Sequence, residues 1–257
     1  MQKIVSGKVM KKALIVGGSN GIGLAIAKNM IGRDYFVEIV DRIAPDEKAE
    51  ISSDSFCYHA CDLTEMDNAF FSELAGDMDI DFLMITAGFG RVTNFENLSC
   101  SEIENMITVN TLAGIKIIRH FYSRIQNDRN FYCGIMGSIA GLISSPMFSV
   151  YAASKAAICR FIESVNIELE VNGSANRILN VSPGSIKGTR FNGGDNDLRI
   201  TKQLAEEIVT HVLNKEELFI PEYDTVFKGV LERYRADPHA FGVSSYEYKL
   251  KSGRVRN

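Results

Sequence analysis

Lys12-Ala-Leu-Ile-Val-Gly-Gly-Ser-Asn-Gly-Ile-Gly23 is a short apolar run of strand type that ends in a glycine-rich turn. A helical pattern begins within the turn and continues over residues 21–31. Glycine suits this place because the backbone must turn tightly, pass close to a phosphate and pack a helix on a strand. A helix N-terminus also attracts phosphate oxygens through its N–H groups and positive dipole end. The stretch therefore predicts a dinucleotide-type phosphate turn, whose contacts are Gly17, Ser19, Asn20, Gly21, Ile22 and Gly23.

Short apolar runs and longer helical patterns alternate along the rest of the chain. The predicted strands are 12–16, 37–40, 56–59, 81–86, 131–136 and 178–181, and the predicted helices are 21–31, 66–74, 103–125 and 151–169. Strands separated by helix-length segments predict an α/β fold, with a single doubly wound (Rossmann-type) parallel sheet and helices on both faces. The sequence gives no reason to split the chain, so residues 11–257 are predicted to form one domain after an N-terminal extension, 1–10.

Composition narrows the classes of function. The chain has 257 residues, of which 46% are hydrophobic and 23% charged, with a net charge of −4. This apolar fraction supports a sizeable core, and the acidic balance excludes nucleic acid or an anionic membrane as a partner bound through bulk charge. The five cysteines are scattered, which favours a reducing, cytoplasmic location. Cys57 and Cys61 flank His59, but no second ligand cluster follows, so no metal site is predicted.

An acidic side chain ends the second predicted strand. Asp41 lies 24 residues after Gly17, where a carboxylate can bind the hydroxyls of an adenosine ribose. Such a carboxylate repels a 2′-phosphate and favours NAD over NADP. The neighbouring Arg42 can hold a 2′-phosphate, so NADP is not excluded.

Three polar residues with catalytic chemistry follow in the second half of the chain. Tyr151 and Lys155 are four residues apart, so they share one face of the predicted helix 151–169. A nearby ammonium lowers the pKa of a phenol, which is otherwise too high for proton transfer near neutrality. Ser138 follows a predicted strand, at the edge of the sheet where ligands bind. In the helix predicted over 103–125, Asn110 falls on the face marked by apolar residues at 103, 107, 114, 118, 121 and 125.

Taken in order, these motifs resemble the short-chain dehydrogenase/reductase family over about residues 11–190. The matching positions are Gly17, Gly21 and Gly23, the pair Asp62-Leu63, Ala87-Gly88, the tetrad Asn110, Ser138, Tyr151 and Lys155, and Pro183-Gly184. Two places depart from the family pattern. Gly188 stands where the family has a threonine, with Thr189 one residue later, and the C-terminal segment 218–257 is a variant.

The resemblance implies an NAD(P)-dependent oxidoreductase that transfers a hydride reversibly between the cofactor and a secondary alcohol or ketone. Tyr151 would be the general acid/base, Lys155 would lower its pKa and bind the nicotinamide ribose, and Ser138 would orient the substrate oxygen. Asn110 would hold a water that relays protons to Lys155. The implied cofactor contacts beyond the glycine turn are Asp41, Arg42, Asp62, Leu63, Ala87, Gly88, Tyr151, Lys155, Pro183, Gly184 and Ile186.

The resemblance also implies a homodimer or homotetramer. Two other classes stay open: a sugar epimerase or dehydratase that uses the same tyrosine–lysine pair, and a non-catalytic NAD(P)-responsive binding protein. The short chain argues against the first, and the four retained tetrad residues argue against the second.

The substrate is a small molecule whose surroundings are predicted to include a loop near 186–200, with 192–197 as a mobile part. Its expected neighbours are Phe89, Arg91, Met147, Phe148, Arg190 and Phe191. The apolar members predict an apolar wall, and Arg91 and Arg190 leave an anionic substrate as an alternative. Residues 249–257, with Lys249, Lys251, Arg254 and Arg256, are interpreted as a solvated tail, with an anion-binding or subunit-contacting role as the alternative.

Overall fold

A seven-stranded parallel sheet forms the centre of the computed structural model. The structure describes residues 4–5, 8–9, 11–46, 51–52, 54–189, 191 and 197–255. The strands are β1 Ile4–Val5, β2 Lys8–Val9, β3 Lys12–Val16, β4 Phe36–Asp41, β5 Phe56–Ala60, β6 Ile80–Ile85, β7 Tyr132–Met136, β8 Ile178–Val181 and β9 Leu218–Phe219. The short β1 and β2 pair antiparallel with each other, while the other strands form the sheet in the order β5-β4-β3-β6-β7-β8-β9.

Helices connect the strands and cover both faces of the sheet. They are α1 Gly21–Ile31, α2 Asn68–Gly76, α3 Cys100–Ile107, α4 Ala113–Gln126, α5 Ser149–Val171, α6 Leu198–Leu213, α7 Lys228–Ala236 and α8 Pro238–Lys251. The doubly wound fold class is therefore confirmed. The chain runs outward from β3 to β4 and β5, then returns to β6 on the other side of β3. Such a reversal opens a crevice at the carboxyl ends of the strands, which is where ligands bind in this class of fold.

The core lies on the two faces of this sheet. Successive side chains of a strand point to opposite faces, so Leu14 and Val16 of β3 pack on one side while Ala13 and Ile15 pack on the other. The first face is covered by α2, α4 and α5, and the second by α1 and α6. Because both clusters are built on one sheet, we propose that residues 11–257 form a single domain.

The long helix predicted over 103–125 is interrupted, and one predicted core position is wrong. A π-helical segment, Thr108–Leu112, separates α3 from α4. Ile107, expected on the buried face, is 39% exposed, whereas Met106 is 1% exposed. A π turn inserts an extra residue into the helix, so the 3.6-residue period of α4 cannot be extended backwards through it. Asn110 lies within the π segment and is buried, as predicted.

The C-terminal segment packs against the end of the sheet. Residues 223–227 form a second π-helical segment that leads into α7. Ile220 and Leu231 join Ile139 in a small apolar cluster, against which Phe227 also packs. An alanine side chain at Gly184 would collide with the Phe227 ring. The segment therefore supports the loop after β8. Among the described helices, none is both long and apolar enough to cross a lipid bilayer.

Candidate active site

The glycine-rich turn joins β3 to α1 against the end of β6. Gly17 has a positive φ of 87°, which L side chains rarely adopt, and a Cβ there would collide with the backbone of Ala87. A Cβ at Gly23 would collide with the carbonyl oxygen of Gly17. Thr86 fixes the turn from the other side, since its Oγ1 donates to the carbonyl oxygens of Val16 and Gly17 at 3.1 and 2.9 Å. Only a glycine-rich backbone fits this close approach, so the N-terminus of α1 opens into the crevice.

The carboxylate of Asp41 is held at the end of β4 by two backbone N–H groups. Its Oδ2 accepts from the Ser19 N–H at 3.0 Å and its Oδ1 accepts from the Arg42 N–H at 2.7 Å. Ser19 itself was predicted as a cofactor contact, but its side chain is buried and does not line the crevice. Ser19 therefore acts on the crevice through its N–H, by orienting the Asp41 carboxylate.

Asp62 and Leu63 border the same crevice beyond β5. The Asp62 carboxylate accepts from the N–H and the hydroxyl of Thr64 at 2.9 and 2.7 Å, and these bonds lower the pKa of the Asp62 carboxyl. The bonds also cap the short 3-10 helix that follows, Leu63–Glu65. The side chain of Leu63 is buried and gives this end of the crevice an apolar surface.

Asn110 ties the loop after β6 to the middle of the helical layer. Its Oδ1 accepts from the Phe89 N–H at 2.9 Å, and its Nδ2 donates to the Phe89 carbonyl at 2.9 Å and to the Ser154 hydroxyl at 3.0 Å. Within the described residues, Asn110 does not line the crevice, and its amide is used by these bonds. In the structure, Asn110 therefore holds the loop that carries Gly88. A Cβ at Gly88 would lie 3.1 Å from Asn110 Oδ1 and 3.2 Å from Lys155 Nζ.

Tyr151, Lys155 and Ser138 meet at the far end of the crevice, as the sequence predicted. The Tyr151 side chain and the Ser138 hydroxyl both line this end of the crevice, and the Ser138 hydroxyl lowers the pKa of the phenol. Lys155 Nζ donates to the Met136 carbonyl at 2.7 Å and lies 5.8 Å from the centre of the Tyr151 ring. Ser138 Oγ accepts from the Ala140 N–H at 3.2 Å, which fixes its position after β7.

Burial dominates the protonation of this pair. Burial raises the pKa of Tyr151 to about 12, which the Ser138 hydroxyl only partly opposes. Burial also lowers the pKa of Lys155 to about 8. The predicted lowering of the phenol pKa by Lys155 stays a prediction. The phenol is protonated at neutral pH and stands ready as a hydrogen-bond donor.

The crevice that joins these groups has a volume of about 600 Å³. It runs from the α1 N-terminus and Asp41 at one end to Tyr151 and Lys155 at the other. Of the predicted residues, those lining it are Gly17, Asn20, Gly21, Ile22, Gly23, Asp41, Arg42, Asp62, Leu63, Ala87, Gly88, Ser138, Tyr151, Lys155, Pro183, Gly184 and Ile186. The prediction missed Asn105 and Val109, which follow from no motif, and left Thr189 uncertain although it lines the crevice.

The chain is similar in sequence to a known protein family and to individual proteins. The profile of the family described as short chain dehydrogenase matches residues 11–198. The chain belongs to this family. The chain is 27% identical over 187 residues to the uncharacterized oxidoreductase YDL114W of Saccharomyces cerevisiae, a match that covers 70% of this chain and 61% of that protein. It spans less than two thirds of the length of the first curated relatives it matches.

Solved structures share the fold of the chain. A short-chain dehydrogenase from Sphingobium yanoikuyae in complex with NADPH is 22% identical, with 89% of this chain and 96% of that chain covered and a TM-score of 0.70. A short-chain dehydrogenase/reductase from Burkholderia phymatum in complex with NAD is 16% identical, with 89% and 94% covered and a TM-score of 0.74. Because both sequence identities are below 25%, the structural similarity shows a shared fold.

A smaller cavity of about 170 Å³ adjoins Tyr151 and Ser138. Phe148 stacks on the Tyr151 ring at 4.1 Å, and Phe191 lies 5.3 Å from that ring, so both form the predicted apolar wall. Arg91 also lines the cavity, but its guanidinium pairs with Glu102 at 3.1 Å. Arg190 and positions 192–196 of the predicted mobile loop lie outside the described residues.

The interpretation of residues 249–257 as a solvated tail is wrong for Lys249 and Arg254. Lys249 lies in α8 and is only 8% exposed, and Arg254 is half-buried; both line the smaller cavity. The sequence pattern did not reveal this, because the position of α8 depends on packing against loops distant in the chain. Arg256 lies outside the described residues.

A cluster with metal-ligand chemistry lies on β4 and β5, away from the crevice. The ligand atoms of Glu38, Cys57 and His59 lie within 4.8 Å of one another. The Glu38 carboxylate accepts from His59 at 2.8 Å and from the Lys12 ammonium at 3.2 Å. These ion pairs account for the cluster, and the neighbouring ammonium opposes a bound cation.

Proposed function

We propose that this dehydrogenase transfers a hydride between a nicotinamide cofactor and a secondary alcohol or ketone, with Tyr151 as the general acid/base. One observation carries the proposal: Tyr151 and Ser138 line both the large crevice and the small cavity, so they stand where the two meet. A molecule in the crevice and a second molecule in the cavity would therefore meet beside the phenolic proton of Tyr151.

The crevice fits a dinucleotide by its own features. At one end the glycine-rich turn brings backbone and the N-terminus of α1 to the surface, which suits a pyrophosphate. The oriented Asp41 carboxylate beside it suits the hydroxyls of a ribose. The volume of about 600 Å³ lies in the range of cofactor sites. The cofactor-bound forms of the Sphingobium yanoikuyae and Burkholderia phymatum proteins give further support.

The chain's own residues divide the remaining work. When bound, the nicotinamide cofactor supplies or accepts the hydride. Ser138 and Tyr151 both direct hydroxyls at the cavity, so a substrate oxygen there can accept two hydrogen bonds. In reduction the phenol gives its proton to that oxygen, and in oxidation the phenolate takes it back. The buried Lys155 ammonium, close to the ring, stabilises the phenolate when it forms.

The preference for NAD is the finer part of the proposal. Asp41 lies at the mouth of the crevice with both oxygens oriented by backbone N–H groups, so its charge opposes a 2′-phosphate. Arg42 follows with an exposed side chain and leaves NADP as the alternative. The homo-oligomer, the cytoplasmic location and the relay role of Asn110 stay predictions.

The replacement Tyr151→Phe tests the proposal. It removes one oxygen and keeps the ring between Phe148 and Phe191, so the fold is expected to persist. We expect kcat to fall by about a hundredfold or more, because positioned acid/base catalysis contributes that much. The affinity for NADH, measured by calorimetry, is expected to change by less than about threefold, which is under 1 kcal/mol.

Tyr122→Phe is the matched control, since Tyr122 lies in α4, packs on the core and does not line the crevice. It is expected to leave kcat unchanged. Turnover of Tyr151→Phe protein at the wild-type rate would overturn the assignment of Tyr151. Failure of the wild-type protein to bind either NADH or NADPH would overturn the proposed function as a whole.

A further inference from the structure

The C-terminal helix α8 brings two cations to the wall of the smaller cavity. Lys249, in the last turn of α8, and Arg254, just after it, line this cavity together with Tyr151 and Ser138. They lie about 100 residues along the chain from the catalytic tyrosine, so the cavity is closed by a segment outside the family match.

Both cations are bound to neutral groups. Lys249 Nζ donates to the Ser145 hydroxyl at 2.8 Å, the Pro146 carbonyl at 2.7 Å and the Ser245 hydroxyl at 3.1 Å. Arg254 Nη1 donates to the Ser185 hydroxyl at 3.2 Å. Among residues 11–46, 51–52, 54–189, 191 and 197–255, no carboxylate lies within ion-pair distance of either cation.

Arg91, which lines the same cavity, shows the contrast. Its guanidinium is neutralised by Glu102, with Nε–Oε1 at 3.1 Å and Nη2–Oε2 at 3.2 Å. The charge on that side of the cavity is therefore balanced within the protein, whereas the charge of Lys249 and Arg254 is not balanced by any described side chain.

Two neighbouring cations without a carboxylate partner are energetically unfavourable when no ligand is bound. Buried charges are usually paired, because removing a charge from water without a partner is unfavourable. The pKa of Lys249 is lowered to about 8, mainly by burial and also by the charge of Arg254. An anion in the cavity would offset both effects, because it would interact favourably with the two cations at once.

We propose that Lys249 and Arg254 bind a carboxylate of the substrate, which makes this dehydrogenase specific for small hydroxy or oxo carboxylic acids. The inference rests on the proposed function and names the substrate class of the same site. The Arg254 guanidinium offers the planar fork that suits a carboxylate. Lys249 acts through its charge and through Ser145, whose hydroxyl accepts from the ammonium and so keeps its own proton for a group in the cavity.

The remainder of the cavity sets the size and the hydrocarbon part of this substrate. Phe148 and Phe191 form an edge-to-face pair with ring centres 6.2 Å apart. Gly90 faces them, and a Cβ there would lie 2.6 Å from Tyr151 and 2.8 Å from Phe148. A cavity of about 170 Å³ with one aromatic and one cationic wall suits a short chain that carries its charge at one end.

Calorimetric titration with butyrate and with its neutral analogue butyramide tests the inference, on the free protein and on the protein saturated with NADH. We expect butyrate to bind about tenfold tighter or more, because hydrogen bonds to charged groups contribute this much selectivity. Arg254→Gln and Lys249→Met are each expected to bring the ratio of the two affinities close to one, with NADH affinity unchanged. Arg254 is half-buried and outside any helix, so its variant keeps the test open if Lys249→Met does not fold.

Lys251→Met is the matched control, because Lys251 lies on α8 and is exposed. It removes the same charge and is expected to keep the wild-type preference. Equal binding of butyrate and butyramide, no binding of butyrate, or an equal loss in Lys251→Met would overturn the inference. Butyl phosphate that binds tenfold tighter than butyrate would also overturn it, in favour of a phosphate. If the preference for butyrate persists but no nicotinamide cofactor binds, Lys249 and Arg254 still form a carboxylate site, but the proposed function and the substrate class that rests on it fail.

Discussion

The two cavities of this protein are built in different ways. The crevice uses backbone: Gly17 and Gly23 allow chain segments to approach closely, and the Asp41 carboxylate is fixed by N–H groups of Ser19 and Arg42. The smaller cavity uses side chains from segments far apart in sequence, such as Phe148 and Lys249. Backbone geometry tolerates few substitutions, whereas a wall of side chains can be exchanged one residue at a time. The family match ends at residue 198, before α8 begins at Pro238.

The largest effect is expected where the crevice depends on backbone contact. In Gly23→Ala the new Cβ would collide with the Gly17 carbonyl oxygen and would lie 2.5 Å from Thr86 Oγ1. The turn must shift, so we expect calorimetry to detect no NADH binding and the unfolding free energy to fall by about 1–3 kcal/mol. The control is Gly76→Ala at the end of α2, where a Cβ meets nothing within 4 Å. NADH binding by Gly23→Ala at wild-type strength would contradict the tight approach.

The difference between local backbone geometry and packing of distant side chains also explains which features could be predicted from the sequence. Lys12–Val16, Gly21–Ile31 and Ile178–Val181 have the predicted bounds, because a local apolar period and glycine placement determine them. The meeting of Tyr151, Lys155 and Ser138 was predictable from helix spacing and the strand end. The exposure of Ile107 was not predictable, because the spacing of apolar residues does not reveal the π turn that rotates Ile107 outward. Lys249 was not either, since its burial depends on loop 144–148, about 100 residues away.

A moderate effect on cofactor preference is expected at Asp41, whose side chain places a charge in a crevice otherwise shaped by backbone. Asp41→Asn keeps the shape and an oxygen acceptor for the Ser19 N–H but removes the negative charge. We expect the ratio of NADH to NADPH affinity to fall about ten- to a hundredfold, since a charged hydrogen bond to ribose is weakened and the repulsion of a 2′-phosphate is removed. The two affinities are measured by calorimetry on the same preparation. An unchanged ratio would assign the reading of the ribose to another group, with Arg42 as the nearest.

The smallest effect on NADH affinity is expected when Ser19 is replaced. This residue allows the role of its N–H to be tested separately from the role of its hydroxyl. Its hydroxyl is buried and has no hydrogen-bond partner among the described residues, while its N–H binds Asp41. Ser19→Ala keeps that N–H and removes a buried hydroxyl, so we expect NADH affinity to stay within about twofold and the unfolding free energy to stay equal or rise by up to about 1 kcal/mol. Calorimetry and urea denaturation measure the two quantities. A tenfold loss of NADH affinity would show that the Ser19 hydroxyl itself contacts the cofactor, and the crevice would then depend on side chains as the smaller cavity does.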